Sequence, residues 1–295
     1  MNNAFDTQAA NKNPSDRSFD KAAWAEKKQA ERRTIYDLAD STALAVAGDG
    51  SRFRDYLDVQ ARFVRYSATN ALLILAQMPQ ATKIKDYNGW NKVGVYVRKS
   101  PQGISILEPG REYLRENGSR TTSYHVKRVY DVSQTNSRDK TQPVVMLDDR
   151  LLLKALITRP PVTMQTVDEL PNQMGAYYDH EQQILFVRRG METQDFFRSV
   201  SKELAHAEIA RMDADYSRET AAFAAYSASY ILCKEHGVDI SGYTFSRLPE
   251  KLRHGDAQSI RESLTVIRDA AANISARMSR ALEQNRQPKS KKPER

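Results

Sequence analysis

The sequence predicts an α+β protein in which long helices and short antiparallel strands follow one another unevenly along 295 residues. Stretches without Pro or Gly, such as residues 21–47, carry apolar side chains at helical spacing. Shorter stretches between Gly, Pro and Ser alternate apolar and polar residues with the period of a strand. The length is sufficient for two ordinary domains, so we expect N-terminal helices with a small antiparallel sheet, followed by a mainly helical domain with a β-hairpin.

The N-terminal part begins with residues 1–18, which are polar and predict a disordered leader. Ser18 or Asp20 is a candidate cap for the first helix. Three helices are then predicted, over residues 21–47, 51–65 and 69–77. Gly48-Asp49-Gly50 ends the first of them, and Pro79 follows the third.

The next part predicts strands, because short runs alternate between apolar and polar residues. These runs cover residues 93–97, 104–107 and 124–132. A mostly polar stretch over 133–147 predicts a domain boundary. We therefore assign residues 19–140 to the first domain and residues 148–285 to the second.

The second domain begins with a predicted helix over 148–157, ended by Pro160-Pro161. A hairpin follows, with strands over 175–178 and 183–187. The pattern then predicts three helices, over 193–212, 216–236 and 255–284. Residues 286–295 predict a basic, disordered tail.

Charge is concentrated in two segments. The formal net charge is +8, and residues 51–140 alone hold 16 basic and 8 acidic side chains. The tail holds 5 basic side chains and 1 acidic side chain. Concentrated positive charge favours binding of a polyanion, because each neutralised phosphate releases counterions. A locally basic surface can also serve solubility alone, so charge leaves both interpretations open.

Composition predicts a cytoplasmic protein that does not enter a membrane. Cys233 is the single cysteine, so no intramolecular disulfide can form. The N-terminus lacks the basic and apolar regions of a signal peptide. No apolar run approaches the roughly 20 residues that a bilayer-spanning helix needs.

Basic and aromatic residues are interleaved in the basic segment, as single-stranded nucleic acid requires. Aromatic rings stack on bases while cations neutralise phosphates. Trp90 and Tyr96 are expected on an exposed strand face beside nearby cations, whereas Phe53, Tyr56 and Phe63 fall on one helical stripe and are expected in the core. The candidate DNA-binding residues are Arg62, Arg65, Tyr66, Trp90, Lys92, Tyr96, Arg98 and Lys99.

Motifs in the same segment resemble a known family. They are Arg65-Tyr66-Ser67-Ala68-Thr69-Asn70, Trp90-Asn91-Lys92-Val93-Gly94-Val95-Tyr96-Val97-Arg98-Lys99, Gly103-Ile104-Ser105-Ile106-Leu107 and Tyr130-Asp131-Val132-Ser133-Gln134-Thr135. Their order resembles the N-terminal single-stranded-DNA-binding domain of ArdC-type antirestriction proteins, and more closely the LtrC-like branch encoded on mobile elements. The resemblance covers residues 50–135.

This resemblance implies binding of single-stranded DNA and a role in protecting transferred DNA or opposing restriction. It also adds Asn70 to the candidate DNA-binding residues. The sequence departs from the family at Ser100-Pro101-Gln102, because the family has a glycine directly after the position of Lys99. The departure bears on the conformation of this loop.

The C-terminal part contains Lys202-Glu203-Leu204-Ala205-His206, which has the frame of the metallopeptidase motif His-Glu-x-x-His. In that motif two histidines four residues apart bind one metal ion, and the glutamate acts as general base. Lys202 stands at the first ligand position, and a protonated lysine has no lone pair for a metal ion. Glu203 is therefore a candidate vestigial base, and His206 a candidate ligand without its partner.

A third ligand is expected on the next helix. Glu219 lies about where ArdC-type zincins, which residues 148–285 resemble, place a carboxylate, although a shift of one turn would put Phe223 there. His206 and Glu219 provide at most two ligands, fewer than the three of a catalytic zinc, so we expect no functional zinc. Lys202 either pairs with a carboxylate such as Glu219 or supplies the positive charge of the missing metal ion.

Three functions remain open from the sequence. The first is a single-stranded-DNA-binding protein of a mobile element with an inactive metallopeptidase-like domain. The second is a zinc-dependent peptidase with an atypical ligand set. The third is an adaptor or assembly protein without DNA binding, whose helix over 255–284 would expose the apolar residues Ile260, Leu264, Ile267 and Ala271 to a partner. No protein partner can be named from the sequence.

Overall fold

The computed structural model describes residues 20–99, 101–114, 118–137 and 148–286, with no side-chain description for 285 and 286. The predicted leader over 1–18 lies outside the described residues, as does the predicted tail after Arg286. Most of the predicted boundary segment also lies outside them. Within the described residues the chain is α+β, as the sequence predicts, with nine helices and two three-stranded sheets.

The first three N-terminal helices agree closely with the sequence prediction. They are α1 (Lys21–Gly48), α2 (Gly50–Arg62) and α3 (Ala68–Gln77). The short α4 (Tyr87–Asn91) was not predicted. Side chains cap their first turns: Asp20 accepts hydrogen bonds from two backbone N–H groups of α1, and Asp49 accepts one from Arg52. Such oxygens satisfy the N–H groups that a helix leaves without partners at its start.

Three strands form the first sheet, in the order β1-β3-β2, and all pairs are antiparallel. They are β1 (Ile84–Lys85), β2 (Ile104–Leu114) and β3 (Arg120–Asp131). The predicted strand over 93–97 is wrong. Gly94 has a φ of 72° in the turn that follows α4, and Val97 forms a single bridge with Thr135.

The C-terminal part begins with α5 (Asp149–Ile157) and a second sheet of order β4-β6-β5. The predicted hairpin is confirmed as β5 (Ala176–Asp179) and β6 (Ile184–Arg188), which pair antiparallel. The sequence analysis did not predict β4 (Thr163–Val167), which pairs with β6 in parallel. β5 therefore lies at one edge of this sheet.

The remaining helices are α6 (Thr193–Met212), α7 (Arg218–His236), α8 (Glu250–Arg253) and α9 (Ala257–Arg286). α9 packs against helices of both halves, including α1, α6 and α7. Its residues Ile260, Leu264, Ile267 and Ala271 are buried in the core. The exposed apolar stripe that would have supported an adaptor function is therefore absent from the described part of α9.

A large apolar core joins the N-terminal helices to α6, α7 and α9. Phe53, Tyr56 and Phe63 belong to it, as predicted. Phe53 also contacts Phe223 of α7, with ring centroids 5.2 Å apart. None of the described helices combines the length and the apolarity needed to cross a membrane.

Candidate functional site

Glu203, the candidate general base, lies on α6 beneath β5 and is completely buried. Its Oε2 accepts the backbone N–H of Tyr178 at 2.9 Å. β5 is an edge strand, so this N–H has no partner in the sheet, and a buried N–H without a partner is costly. The carboxylate of Glu203 thus completes the hydrogen bonding of the β5 edge.

The second carboxylate oxygen of Glu203 binds a cation that the sequence analysis missed. Arg218, the first residue of α7, donates from Nη2 to Oε1 at 2.8 Å, whereas Nζ of Lys202 lies 3.6 Å from the same oxygen. The Arg218 guanidinium also lies over the ring of Tyr177, 4.5 Å from its centroid, and donates to the carbonyl of Tyr178 at 3.4 Å. Both oxygens of Glu203 are therefore occupied within the protein.

His206 lies one turn after Lys202 and is 2% exposed. Its Nδ1 is 3.0 Å from the hydroxyl of Tyr216, in the connection between α6 and α7. Burial lowers the pKa of His206 to about 4, so the imidazole is neutral at pH 7. Burial raises the pKa of Tyr216 to about 12, so its hydroxyl keeps its proton and can donate it to Nδ1.

Further rings pack around Tyr216, the hydrogen-bond partner of His206. The His180 ring lies 4.8 Å from that of Tyr216, and Tyr178 is 6.3 Å from Tyr216. His180 belongs to the hairpin turn, and its Nδ1 is 3.4 Å from the hydroxyl of Tyr178. Sequence spacing could not connect these residues, because they come from β5, its turn and the α6–α7 connection.

The donor set does not fit a catalytic zinc ion. Glu219 is exposed on the first turn of α7, and among the described residues it makes no hydrogen bond or ion pair. No group of three His, Cys, Asp or Glu side chains in the described ranges is placed to hold a metal ion. Lys202 and Arg218 add positive charge beside Glu203, which opposes binding of a divalent cation. Lys202 lies 3.6 Å from the carboxylate of Glu203, and within the described ranges it forms no ion pair with Glu219.

A groove of about 380 Å³ lies in the N-terminal half, between α3 and the sheet of β2 and β3. Arg65 and Tyr66 line it, as do Lys85, Tyr124 and Lys127, which were not among the predicted site residues. Tyr124 is 40% exposed. The alternating pattern of residues 124–132 predicts the strand that carries Tyr124 and Lys127. The sequence alone does not show that this strand lies opposite α3.

Acidic side chains balance part of the charge in the groove. Lys127 contacts Asp86 at 2.9 Å and Glu108 at 2.7 Å. Hydrogen bonds that Lys127 donates to Glu108 and Asp86 raise the pKa of Lys127, so it stays charged but is neutralised by these two carboxylates. Arg65 is exposed, and its side chain forms no ion pair within the described ranges.

A second exposed segment, residues 92–99, follows α4. Its backbone is fixed to residues 134–136, because Arg98 N–H donates to Gln134 and Tyr96 N–H donates to the side chain of Asn136. Tyr96 is 58% exposed, and Lys92, Arg98 and Lys99 are also exposed. This arrangement agrees with an aromatic ring among cations, although the segment is a loop and not a strand.

Three predicted DNA-binding residues make structural contacts; Trp90 and Asn70 are buried, whereas Arg62 is exposed. Trp90 is 2% exposed and donates from Nε1 to the carbonyl of Tyr130 at 2.8 Å, so its expected place on an exposed strand face is wrong. Asn70 is buried and holds the backbone of Leu107 by two hydrogen bonds. The guanidinium of Arg62 donates to the carbonyl of Pro79.

Comparisons with solved structures find two crystal structures of the antirestriction protein ArdC from the R388 plasmid. The metal-free structure has 17% identity and a TM-score of 0.42, and covers 75% of this chain and 85% of ArdC. The Mn(II)-bound structure has 17% identity and a TM-score of 0.49, with 72% and 85% covered.

Sequence comparison adds a relative without a described function. An uncharacterized protein of Bacillus anthracis is 24% identical over 268 residues, covering 72% of this chain. The chain spans 45% of that relative's length. No protein-family model matches the chain.

Proposed function

We propose that the protein binds single-stranded DNA in the cytoplasm through the groove between α3 and the β2–β3 sheet, together with the exposed segment 92–99. The observation that carries the proposal is the placement of Tyr66 and Tyr124 with Arg65 and Lys85 around one groove. Rings of this kind can stack on bases while the cations neutralise phosphates. A duplex hides its base faces, so the proposal requires a preference for single strands.

The groove and the segment 92–99 each supply an exposed aromatic ring and exposed positive charge. Tyr124 and Tyr96 are the exposed rings, at 40% and 58% exposure. Arg65, Arg98 and Lys99 supply exposed positive charge. Trp90 and Asn70 make no direct contact with DNA in this proposal, because Trp90 fixes α4 to β3 and Asn70 fixes β2 to α3. Arg62 is not a direct contact in this proposal.

The C-terminal half is proposed to have no peptidase activity. A general base must reach a metal-bound water, and both oxygens of Glu203 already bind Arg218 and Tyr178. The role of the whole protein, to protect transferred DNA of a mobile element or to oppose restriction, is proposed from the resemblance of residues 50–135 to ArdC-type and LtrC-like proteins.

Fluorescence anisotropy with labelled single-stranded and duplex oligonucleotides tests the binding proposal. Tyr124→Ala should weaken single-strand binding by about 1–3 kcal/mol, the usual contribution of one stacked base. Tyr113→Ala is the matched control, because Tyr113 is 52% exposed on β2 but does not line the groove. Arg65→Gln should reduce the slope of log K against log salt concentration by about 0.7, as expected for one phosphate contact on a single strand.

Equal affinity for duplex and single strands, or equal losses in Tyr124→Ala and Tyr113→Ala, would contradict the proposed interface. The biological role needs a separate assay. Transfer of unmodified single-stranded plasmid DNA into a restricting host should increase when the protein is present, and Tyr124→Ala should reduce the increase. Protection that persists in variants without DNA binding would disconnect the two parts of the proposal.

A further inference from the structure

An open cavity of about 440 Å³ in the C-terminal half is lined by four arginines and one carboxylate. We call it the arginine cavity. Arg159 follows α5, Arg211 lies in the last turn of α6, and Arg277 and Arg280 lie one turn apart on α9. Glu208 is its acidic residue, so the lining carries an excess of three positive charges.

A single carboxylate serves two of these arginines. Glu208 is 3% exposed, and its oxygens lie 3.4 Å from Nη1 of Arg277 and 3.3 Å from Nη1 of Arg211. Nδ2 of Asn273 is 3.4 Å from Glu208 as well. These distances exceed the usual 2.7–2.9 Å or so of charge-assisted hydrogen bonds. The hydrogen bonds to Glu208 are therefore weak, and the N–H groups around it can still bind another acceptor.

Some donors in the arginine cavity have no acceptor among the residues that the structure describes, although Nη2 of Arg277 donates to the carbonyl of Leu156 at 3.3 Å. Nε of Arg277 is buried without a hydrogen-bond partner. Burial lowers the pKa of Arg277; the charge of Glu208 opposes this shift, and the charges of Arg280 and Arg211 add to it. Arg159 and Arg280 are exposed and form no ion pair within the described ranges. Like charges held this close are unfavourable unless an anion lies between them.

The backbone at Arg159 is unusual as well. Its φ is 48°, in the left-handed region that side chains with a Cβ disfavour. Pro160 follows it, and a proline further restricts the residue before it. The chain keeps this conformation at the edge of the arginine cavity, where Arg159 adds a fourth cation.

We propose that the arginine cavity binds a phosphate group carrying two negative charges, either on a small phosphorylated molecule or at the 5′ end of a DNA strand. The planar guanidinium matches the oxygens of phosphate with two parallel hydrogen bonds, which makes a group of arginines suited to this anion. No residue of the α3 groove lines the arginine cavity, so the inference stands apart from the proposed DNA interface.

Isothermal titration calorimetry with pyrophosphate as the probe tests this proposal. The wild-type protein should bind one equivalent, and Arg280→Gln and Arg159→Gln should each raise the Kd about tenfold, as expected for the loss of a hydrogen bond between charged groups. Arg253→Gln is the matched control, because Arg253 is exposed on α8 outside the cavity, and its Kd should equal that of the wild type. Circular dichroism of each variant checks that the fold is intact.

Competition with bound pyrophosphate distinguishes the sources of the phosphate. Displacement by a 5′-phosphorylated oligonucleotide, but not by its 5′-hydroxyl form, supports the proposal and assigns the site to DNA ends. Displacement by a nucleoside monophosphate alone supports it and assigns a small ligand. Equal displacement by both oligonucleotides overturns it, as does an absence of saturable binding or an equal loss in all three variants. Tyr124→Ala, which tests the DNA groove, should leave pyrophosphate binding unchanged.

Discussion

Replacing Arg218 by Met tests which cation compensates the buried charge of Glu203. Glu203 is completely buried, and Nη2 of Arg218 lies 2.8 Å from its Oε1. Nζ of Lys202 lies 3.6 Å from the same oxygen. The sequence motif drew attention to Lys202, whereas these distances indicate that Arg218 is the main partner.

The two cations should differ clearly in their effect on the free energy of unfolding. Removing one partner of a fully buried ion pair costs about 3–5 kcal/mol. The Arg218 side chain is 34% exposed, so water partly screens the pair. We therefore expect Arg218→Met to lower the free energy of unfolding by about 2–3 kcal/mol, the value for hydrogen bonds to charged groups. Lys202→Met, at a longer distance and with 40% of its side chain exposed, should cost less than about 1 kcal/mol.

Urea unfolding at pH 7, monitored by circular dichroism, measures these differences in the free energy of unfolding. A double-mutant cycle with Glu203→Gln isolates the pairwise energy, which we expect to be about 1–2 kcal/mol for Arg218 with Glu203 and near zero for Lys202 with Glu203. A loss in Lys202→Met as large as in Arg218→Met would refute the reasoning. A zero coupling energy between Arg218 and Glu203 would refute it too, and would mean that Arg218 acts through its contacts with β5.

Three further predictions concern buried groups. Trp90→Ala should lower the free energy of unfolding by about 3–5 kcal/mol without changing the DNA affinity of the folded protein, because its ring is core; weakened binding at full stability would contradict this. Burial raises the pKa of Glu235 from 4.5 to about 7, so the contribution of Glu235 to stability falls as pH rises from about 4.5 to about 7. In urea unfolding, the Glu235→Gln variant should therefore gain stability relative to the wild type as pH rises across that range. Burial lowers the pKa of His236 to about 4, which gives the opposite slope, and His236 Nε2 lies 3.7 Å from Oε2 of Glu235. The two proteins are therefore compared in a His236→Gln background, where a difference independent of pH would count against the assignment. Elemental analysis after purification at neutral pH should find no stoichiometric zinc; zinc that is lost in His206→Ala would restore the peptidase interpretation.

Most helices could be predicted from sequence because their signals are local. A periodic apolar stripe and a capping residue lie within one segment, as with Asp20 before α1 and Asp49 before α2. Local signals cannot supply a partner strand. β4 was missed because its Thr and Gln residues give a weak pattern and its pairing with β6 is parallel and non-local.

The error at residues 93–97 has the same origin. Their apolar alternation resembles a strand, but a strand forms only where a neighbour accepts its hydrogen bonds. Here Asp86 caps α4 through the N–H of Gly89, and the helix carries Trp90 into the core. The chain then turns at Gly94, which leaves Val97 as the one residue of the segment that pairs with Thr135. Trp90, before this turn, is therefore buried, whereas Tyr96 and Arg98, after it, are exposed.

The motif around Glu203 could be found from sequence, but its partners could not, because they depend on how β5 and α7 pack on α6. Arg218 and Glu219 are adjacent in sequence, and the register of α7 turns Arg218 towards Glu203 while Glu219 stays exposed. The buried carboxylate completes the hydrogen bonding of an edge strand and binds a cation from the next helix. One carboxylate performs both tasks, and neither task requires a metal ion. A glutamate at this position is thus explained by the packing of three elements, which separates the form of a metallopeptidase motif from its chemistry.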